Sequence, residues 1–62
     1  MLDLEVRTPV GTVIESFDDL GKAIKFAKKY SATEKKTVGV FQPRFMKRDQ
    51  LEAMFKNGKR IL

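Results

Sequence analysis

Apolar and charged side chains alternate over the first residues of the chain, where residues 2–7 have the sequence LDLEVR. A period of two is typical of a strand with one buried face and one wet face, so we predict a first strand over residues 2–7. Thr8–Gly11 follows, and its proline and glycine suit a tight reversal of the chain. Residues 12–17 are rich in β-branched and aromatic side chains, which predicts a second strand antiparallel to the first.

A helical period begins after this hairpin. One stripe at helical spacing is composed of Leu20, Ala23, Ile24, Ala27 and Ser31, with Tyr30 at its margin. The stripe predicts a helix over residues 19–31. Asp18 is the expected N-cap, because its carboxylate can accept a hydrogen bond from a free amide of the first turn, and Asp19 suits the positive end of the helix dipole. Ser16 is the competing cap.

The second half of the chain predicts one more strand and one more helix. Residues 37–42, TVGVFQ, are β-prone and are stopped by Pro43, which indicates a third strand. Asp49–Glu52 matches a capping box, and an apolar face follows it, composed of Leu51, Met54 and Phe55. We therefore predict a second helix that ends at Asn57-Gly58, since glycine suits a helix C-terminus. The tail, residues 59–62, is expected to form a short fourth strand or a docked end.

The predicted order is thus ββαβα, in one compact domain over residues 1–62. It corresponds to the α+β class, with a small antiparallel sheet of three or four strands and the main helix packed across one sheet face.

Composition narrows the function classes. The chain of 62 residues contains no cysteine and no histidine, so it lacks the commonest metal ligands and the usual general base. A chain this small also offers little volume for a closed substrate pocket. We therefore expect no enzymatic activity, no catalytic residue, no cofactor and no metal. The absence of a long apolar run predicts a cytoplasmic protein that does not contact membranes.

Charge is distributed unevenly along the chain, whose formal net charge is +5. Residues 1–21 have a balance of −4, whereas residues 22–62 have a balance of +9. Such asymmetry indicates an anionic partner on one side of the molecule.

Two basic groups are the candidate binding residues. The outer face of the predicted main helix clusters Lys22, Lys25 and Lys29, and Phe26 projects between this face and the apolar stripe. Lysines beside an aromatic suit an acidic protein groove or a nucleic acid. The alternative is that the lysines only solvate a surface helix while Phe26 folds over the sheet edge.

The second group lies between the third strand and the second predicted helix. It consists of Arg44, Phe45, Met46, Lys47 and Arg48. Aromatic, methionine and arginine side chains are enriched at the cores of protein interfaces. The alternative is that Phe45 and Met46 plug the end of the core under the second helix.

Three further features favour structural roles. Lys56, Lys59 and Arg60 are expected to meet the negative end of the second helix dipole. Asp3, Glu5 and Glu15 are the only carboxylates that could converge as an acid/base pair, and on solvent-facing strand positions they favour solubility or repulsion of nucleic acid instead. An exposed sheet edge could also add a strand from a second copy, which leaves a homodimer open.

These patterns predict a small accessory or regulatory protein that binds a larger macromolecule without catalysis. A strand followed by the run Ser16–Leu20 and an Ala/Ile/Phe/Ala helix is similar, in a generic way, to many unrelated small bacterial and phage-type proteins, which makes a compact accessory protein, a modulator of bacterial or phage type, a reasonable expectation. The expected partner is a protein with an acidic surface. The alternative is a nucleic-acid-binding module that uses the helix lysines and residues 44–48.

Overall fold

A computed structural model describes residues 3–44 and 46–62 of the chain. The elements in chain order are β1 (Leu4–Arg7), β2 (Val13–Phe17), α1 (Leu20–Glu34), β3 (Thr37–Gln42), β4 (Gln50–Lys56) and β5 (Lys59–Arg60). The α+β class and the antiparallel sheet are confirmed. The predicted order ββαβα is wrong in its last part, because one helix and five strands are present among the described residues. Leu2, the expected start of the first strand, lies outside them.

The five strands form one antiparallel sheet in the order β2-β1-β3-β4-β5, and α1 packs across one face of it. The core lies between these two layers and is composed of Leu4, Val6, Ala23, Ala27, Val38, Val40, Ala53 and Phe55. Small alanines on α1 let the helix pack against the valines of β1 and β3. We call the covered side of the sheet the helix face and the other side the outer face.

The main helix begins and ends later than predicted. Its N-cap is Asp19, whose Oδ1 accepts a hydrogen bond from the backbone N–H of Lys22 at 3.1 Å. The expected cap Asp18 and its competitor Ser16 are therefore both wrong; Ser16 lies within β2. Leu20, predicted to lie on the buried stripe, is 36% exposed because it opens the first turn before the helix meets the sheet.

The second predicted helix is the strand β4. Ala53 and Phe55 pair with Val40 and Val38 of β3 and reach the core at a period of two. Without this strand, β3 would leave two valines at a sheet edge. Leu, Glu, Ala, Met and Lys are good helix formers, so pairing with β3 overrides local propensity here. Asp49, expected to cap the helix, instead extends its carboxylate to Arg7.

The Asn57-Gly58 pair closes a hairpin and not a helix. Asn57 has φ 52° and Gly58 has φ 84°, so both central residues of this two-residue turn are left-handed, as the favoured β-hairpin turn requires. The turn also docks on α1, because the backbone N–H of Gly58 donates to the buried Oγ of Ser31 at 2.9 Å. The tail prediction of a short fourth strand corresponds to β5, which is the fifth strand.

Candidate interaction surface

The lysines of α1 form an exposed row on the side of the helix that faces away from the sheet. Lys22, Lys25 and Lys29 are all exposed, as predicted for this face. None of them lies within 4.0 Å of a carboxylate of residues 3–44 or 46–62, where both ion pairs involve Arg7. We call these three residues the lysine row. Its positive charge is available to a partner, because none of the three side chains forms an ion pair within the described residues.

Phe26 lies at the border between the lysine row and the core, as its angular position predicted. Its ring centroid is 5.3 Å from that of Phe17 and 5.7 Å from that of Tyr30. All three rings are half-buried and pack against the core. Phe26 therefore folds over the sheet edge formed by β2, as the structural alternative proposed, and at the same time keeps part of its ring accessible.

A shallow groove of about 270 Å³ runs beside this aromatic border. Its lining is composed of Phe26, Lys29, Tyr30, Thr33 and Glu34. Tyr30 was missed as a candidate binding residue, although its spacing of four from Phe26 places the two rings on neighbouring turns of α1. Its lining combines two aromatic rings with the charged side chains Lys29 and Glu34, so an apolar side chain could contact the rings while Lys29 meets an acidic neighbour.

A second, open cleft of about 600 Å³ lies at the other end of the lysine row. Its lining is composed of Asp3, Leu4, Glu5, Ser16, Phe17, Asp18, Lys22 and Pro43. Lys22 of α1 and Pro43 at the end of β3 therefore share one cleft, which brings the start of the lysine row close to the start of the second basic group. Three carboxylates also line this cleft, and they divide the positive surface between the two groups.

The second basic group lies between β3 and β4. We call its described residues, 43–44 and 46–49, the basic loop. Arg44, Met46, Lys47 and Arg48 are all exposed. Met46 is 88% exposed and has a left-handed φ of 57°, so it does not plug the core, and that alternative is wrong for this residue. Phe45, the remaining candidate, lies outside the described residues.

Contacts at both ends hold the basic loop in place. The backbone N–H of Arg44 donates to Oδ1 of Asp49 at 3.4 Å, and the guanidinium of Arg44 donates to Oε1 of Gln50. Oδ2 of Asp49 accepts from Nη1 of Arg7 at 2.5 Å. Arg44 is thereby bonded to Asp49 and Gln50, and Asp49 is bonded to Arg7 of β1. These contacts flank the exposed Met46.

The ion pair of Arg7 shifts the pKa of both partners. The hydrogen bond from Arg7 lowers the pKa of Asp49, and the backbone N–H of Arg44 lowers it further. The hydrogen bonds to Asp49 and to Glu5 raise the pKa of Arg7. Arg7 and Asp49 are both charged at neutral pH, so the ion pair that connects the basic loop to β1 is present there.

Lys56, Lys59 and Arg60 do not sit at a helix terminus, because the helix predicted there is absent. Lys56 and Lys59 face each other as a cross-strand pair beside the Asn57-Gly58 turn. Directly opposed like charges destabilise a hairpin. The expected stabilisation by a helix dipole is therefore wrong.

The part of the chain that the structure describes has no group of three or more Asp or Glu side chains able to hold a metal ion. It also has no helix long and apolar enough to cross a membrane. Comparison with protein families, with curated proteins and with solved structures finds no match.

Proposed function

We propose that this chain is a non-catalytic accessory protein that docks on an acidic segment of a larger protein. The observation on which the proposal depends is the groove of Phe26 and Tyr30, which lies directly beside Lys29 and the rest of the lysine row. An acidic segment that also presents one apolar side chain would satisfy both features. The lysine row would accelerate and orient the encounter, and the groove would bury the apolar side chain.

The basic loop supplies a second contact area for the same partner. Lys22 and Pro43 line one cleft, so a segment bound along the lysine row from the Lys29 end would reach the loop at its other end. Met46 then offers an exposed, adaptable apolar side chain, flanked by Lys47 and Arg48. Methionine is common at binding surfaces that tolerate variation in the partner.

A protein fits this surface better than a nucleic acid does. Asp3, Glu5 and Asp18 line the cleft that separates the lysine row from the basic loop. A phosphate backbone laid across both basic groups would have to pass these carboxylates, whereas a protein segment can place a basic or neutral residue there. Most of the positive groups of the surface are lysines, whereas base reading prefers the bidentate fork of arginine.

The test is a titration of the ¹⁵N-labelled protein with synthetic peptides of glutamate and aspartate that contain one central leucine. We expect the amides of α1 around Phe26, Lys29 and Tyr30 to shift first. Replacing the leucine of the peptide by serine should weaken binding by about tenfold or more, because a buried leucine is worth about 1.5–3 kcal/mol.

A matched pair of charge reversals locates the surface. Lys29→Glu and Lys36→Glu change the net charge equally, and both residues are exposed, but only Lys29 lines the groove. Lys29→Glu should weaken peptide binding by about threefold to tenfold, and Lys36→Glu by less than about twofold. Equal weakening by both variants would show attraction by net charge alone and would contradict the proposal.

Nucleic acid is the competing ligand in the same experiment. Labelled single-stranded and double-stranded oligonucleotides would replace the peptides over a salt series. Binding tighter than that of the leucine peptide, with a steep loss of affinity as salt rises, would favour the nucleic-acid alternative over the docking proposal.

A further inference from the structure

The Asn57-Gly58 pair, at the tip of the hairpin formed by β4 and β5, has a reactivity that the proposed function does not use. Asn57 is exposed, and it is the one asparagine of the chain. Asparagine is a thermolabile residue. Glycine has no Cβ, so its backbone nitrogen is the least hindered one that can follow an asparagine. The nitrogen of Gly58 can therefore attack the side-chain carboxamide of Asn57, which makes the pair a candidate site of spontaneous deamidation.

The reaction needs solvent water and no other reactant. Gly58 N–H loses its proton to solvent, and the nitrogen forms a bond to Cγ of Asn57. The carboxamide C–N bond then breaks, ammonia leaves with a proton taken from solvent, and a cyclic succinimide remains. Water adds to either ring carbonyl and opens the ring. Opening on one side gives aspartate, and opening on the other side gives isoaspartate, in which the main chain runs through the former side chain.

The folded turn holds the attacking nitrogen away from this reaction. The N–H of Gly58 donates to the buried Oγ of Ser31 at 2.9 Å, so its proton is engaged and its direction is fixed. Asn57 and Gly58 have left-handed φ values of 52° and 84° in a turn that the pairing of Lys56 with Lys59 closes. Ring closure requires the nitrogen of Gly58 to swing towards Cγ of Asn57. That rotation would break both the turn and the hydrogen bond to Ser31.

The attachment of this turn to α1 is small. Besides the hydrogen bond to Ser31, Gly58 lies so close to Ala32 that a Cβ on the glycine would be 2.8 Å from the Ala32 Cβ. The strand β5 has two residues, and both are exposed. Short, exposed elements at the edge of a fold open without global unfolding. Local opening can therefore release Gly58 from Ser31 while the rest of the sheet stays paired.

Two lysines favour the reaction once the turn has opened. Lys56 and Lys59 flank the pair, both are exposed, and neither forms an ion pair among the described residues. Positive charge close to a titrating group favours its anionic form, and the deprotonated nitrogen is the species that attacks. The local sequence is thus reactive, and the contact with Ser31 restrains it.

We propose that Asn57 is a deamidation site whose rate is set by the hydrogen bond between Gly58 and Ser31. The site lies outside the lysine row, the groove of Phe26 and Tyr30, and the basic loop. The inference therefore succeeds or fails independently of the proposed function.

The two products differ in their effect on the hairpin. Aspartate keeps the turn, since Asp-Gly suits it as Asn-Gly does. Its one added negative charge lies beside Lys56 and Lys59 and lowers the formal net charge from +5 to +4. Isoaspartate adds a carbon to the main chain, so the two-residue turn no longer fits and β5 separates from β4. Deamidation is thus an irreversible change in the charge and the pairing of this hairpin.

The first test is incubation of the full chain in ¹⁸O-labelled water, which marks the new carboxyl oxygen for mass spectrometry. We expect modification at Asn57, with a rate that rises with pH because the attacking nitrogen must be deprotonated. The folded chain should react about tenfold or more slowly than the same chain unfolded in guanidinium chloride. Equal rates in the two states would overturn the proposal, and so would a folded chain that does not react.

A matched pair of variants separates release from Ser31 from global unfolding. Ser31→Ala should raise the rate in the folded chain by about tenfold, because loss of a buried hydrogen bond raises the population of the open turn by about that factor. Asp19→Ala removes a hydrogen bond at the other end of α1 and weakens the fold by a similar amount. It should change the rate by less than about twofold. Equal acceleration by both variants would mean that the reaction follows global unfolding, against the proposal.

The hairpin of each product can be examined by NMR of the reacted chain. The variant Asn57→Asp supplies the aspartate form directly, and it should keep the amide signal of Gly58 and its slow hydrogen exchange. The isoaspartate fraction should lose that slow exchange, together with the contacts between Lys56 and Lys59 across the strands. An isoaspartate fraction whose Gly58 amide exchanges as slowly as in the parent would contradict the role of this hydrogen bond.

Discussion

The guanidinium of Arg7 and the carboxylate of Asp49 meet at 2.5 Å although they are 42 residues apart in the chain. Arg7 belongs to β1, and Asp49 ends the basic loop just before β4. The strand β3 lies between β1 and β4 in the sheet, so the pair reaches across β3 on the outer face and passes Phe41. One ion pair thus connects the candidate binding loop to the outer face.

This ion pair makes the basic loop sensitive to acid. The pKa of Asp49 is lower in the folded chain than in the unfolded chain, so its stabilising contribution is complete above the ordinary value of about 3.9. That contribution is lost as the pH falls from there through the lowered pKa. We expect Arg44 and Met46 amide signals to change over this acidic window. The measurement is an NMR titration that follows the side-chain carboxyl carbon of Asp49.

Asp49→Asn provides the control for that titration. The variant keeps the shape of the side chain and removes its charge, so the loop amides should no longer respond in the same window. If the carboxyl carbon of Asp49 in the parent titrates at the pH typical of a short peptide, the ion pair does not form in solution.

Gly39→Ala should destabilise the fold by displacing the ring of Phe41. The new Cβ would lie 2.6 Å from Cε1 of the ring, and only the ring can move away, because the glycine is in the middle of a paired strand. We expect a loss of about 1–3 kcal/mol in the free energy of unfolding. Urea denaturation measures it. In a Phe41→Ala background the same change should cost much less, and equal costs in both backgrounds would contradict the contact.

Ser31→Ala tests the attachment of the hairpin turn to α1. The buried Oγ of Ser31 accepts from the N–H of Gly58 at 2.9 Å and donates to the carbonyl of Lys28 at 3.1 Å. Removing it leaves the Gly58 N–H without its partner, which should cost about 1–2 kcal/mol in thermal or urea unfolding. Ser16→Ala on the exposed edge strand is the control and should stay within about 0.5 kcal/mol. Similar costs for both serines would show that the bond is unimportant.

The helix cap can be assigned by comparing two adjacent aspartates. Asp19 accepts from the Lys22 N–H at 3.1 Å, whereas Asp18 lies one residue outside the cap position. Asp19→Ala should lower the free energy of unfolding by about 0.5–2 kcal/mol, and Asp18→Ala by less than about 0.5 kcal/mol. The reverse order would mean that the helix begins one residue earlier in solution.

The sequence patterns predicted the first part of the fold well, because its signals are local. The alternation around Leu4 and Val6, and the apolar stripe of α1, depend on neighbours within a few residues. The prediction for residues 49–58 was wrong because each of two local patterns occurs in more than one kind of structure. The capping-box pattern at residues 49–52 arose by chance and precedes a strand. The pair Asn-Gly is common both at helix ends and in hairpin turns. The partner that decides between them is β3, which no local pattern identifies.

The candidate site was predictable to a similar extent. The exposure of the lysine row and the half-buried position of Phe26 follow from helical geometry alone. The groove beside Tyr30 and the outer face could not be predicted, since the first depends on the stacking of rings and the second on strand register. The Arg7 and Asp49 contact requires β1 and β4 to flank β3, which is a property of the sheet order.

The sheet order also determines how the two halves of the sheet are joined. The β1–β2 hairpin and the β3–β4–β5 ribbon are each built from neighbours in the chain, and a ladder of three residue pairs joins them: Glu5 with Phe41, Val6 with Val40, and Arg7 with Gly39. This short ladder is covered by α1 on the helix face, and the ion pair of Arg7 with Asp49 crosses it on the outer face. Force applied between the β1–β2 hairpin and the β3–β4 pair would therefore open the sheet along β1 and β3, because these two units have four and six residue pairs within them.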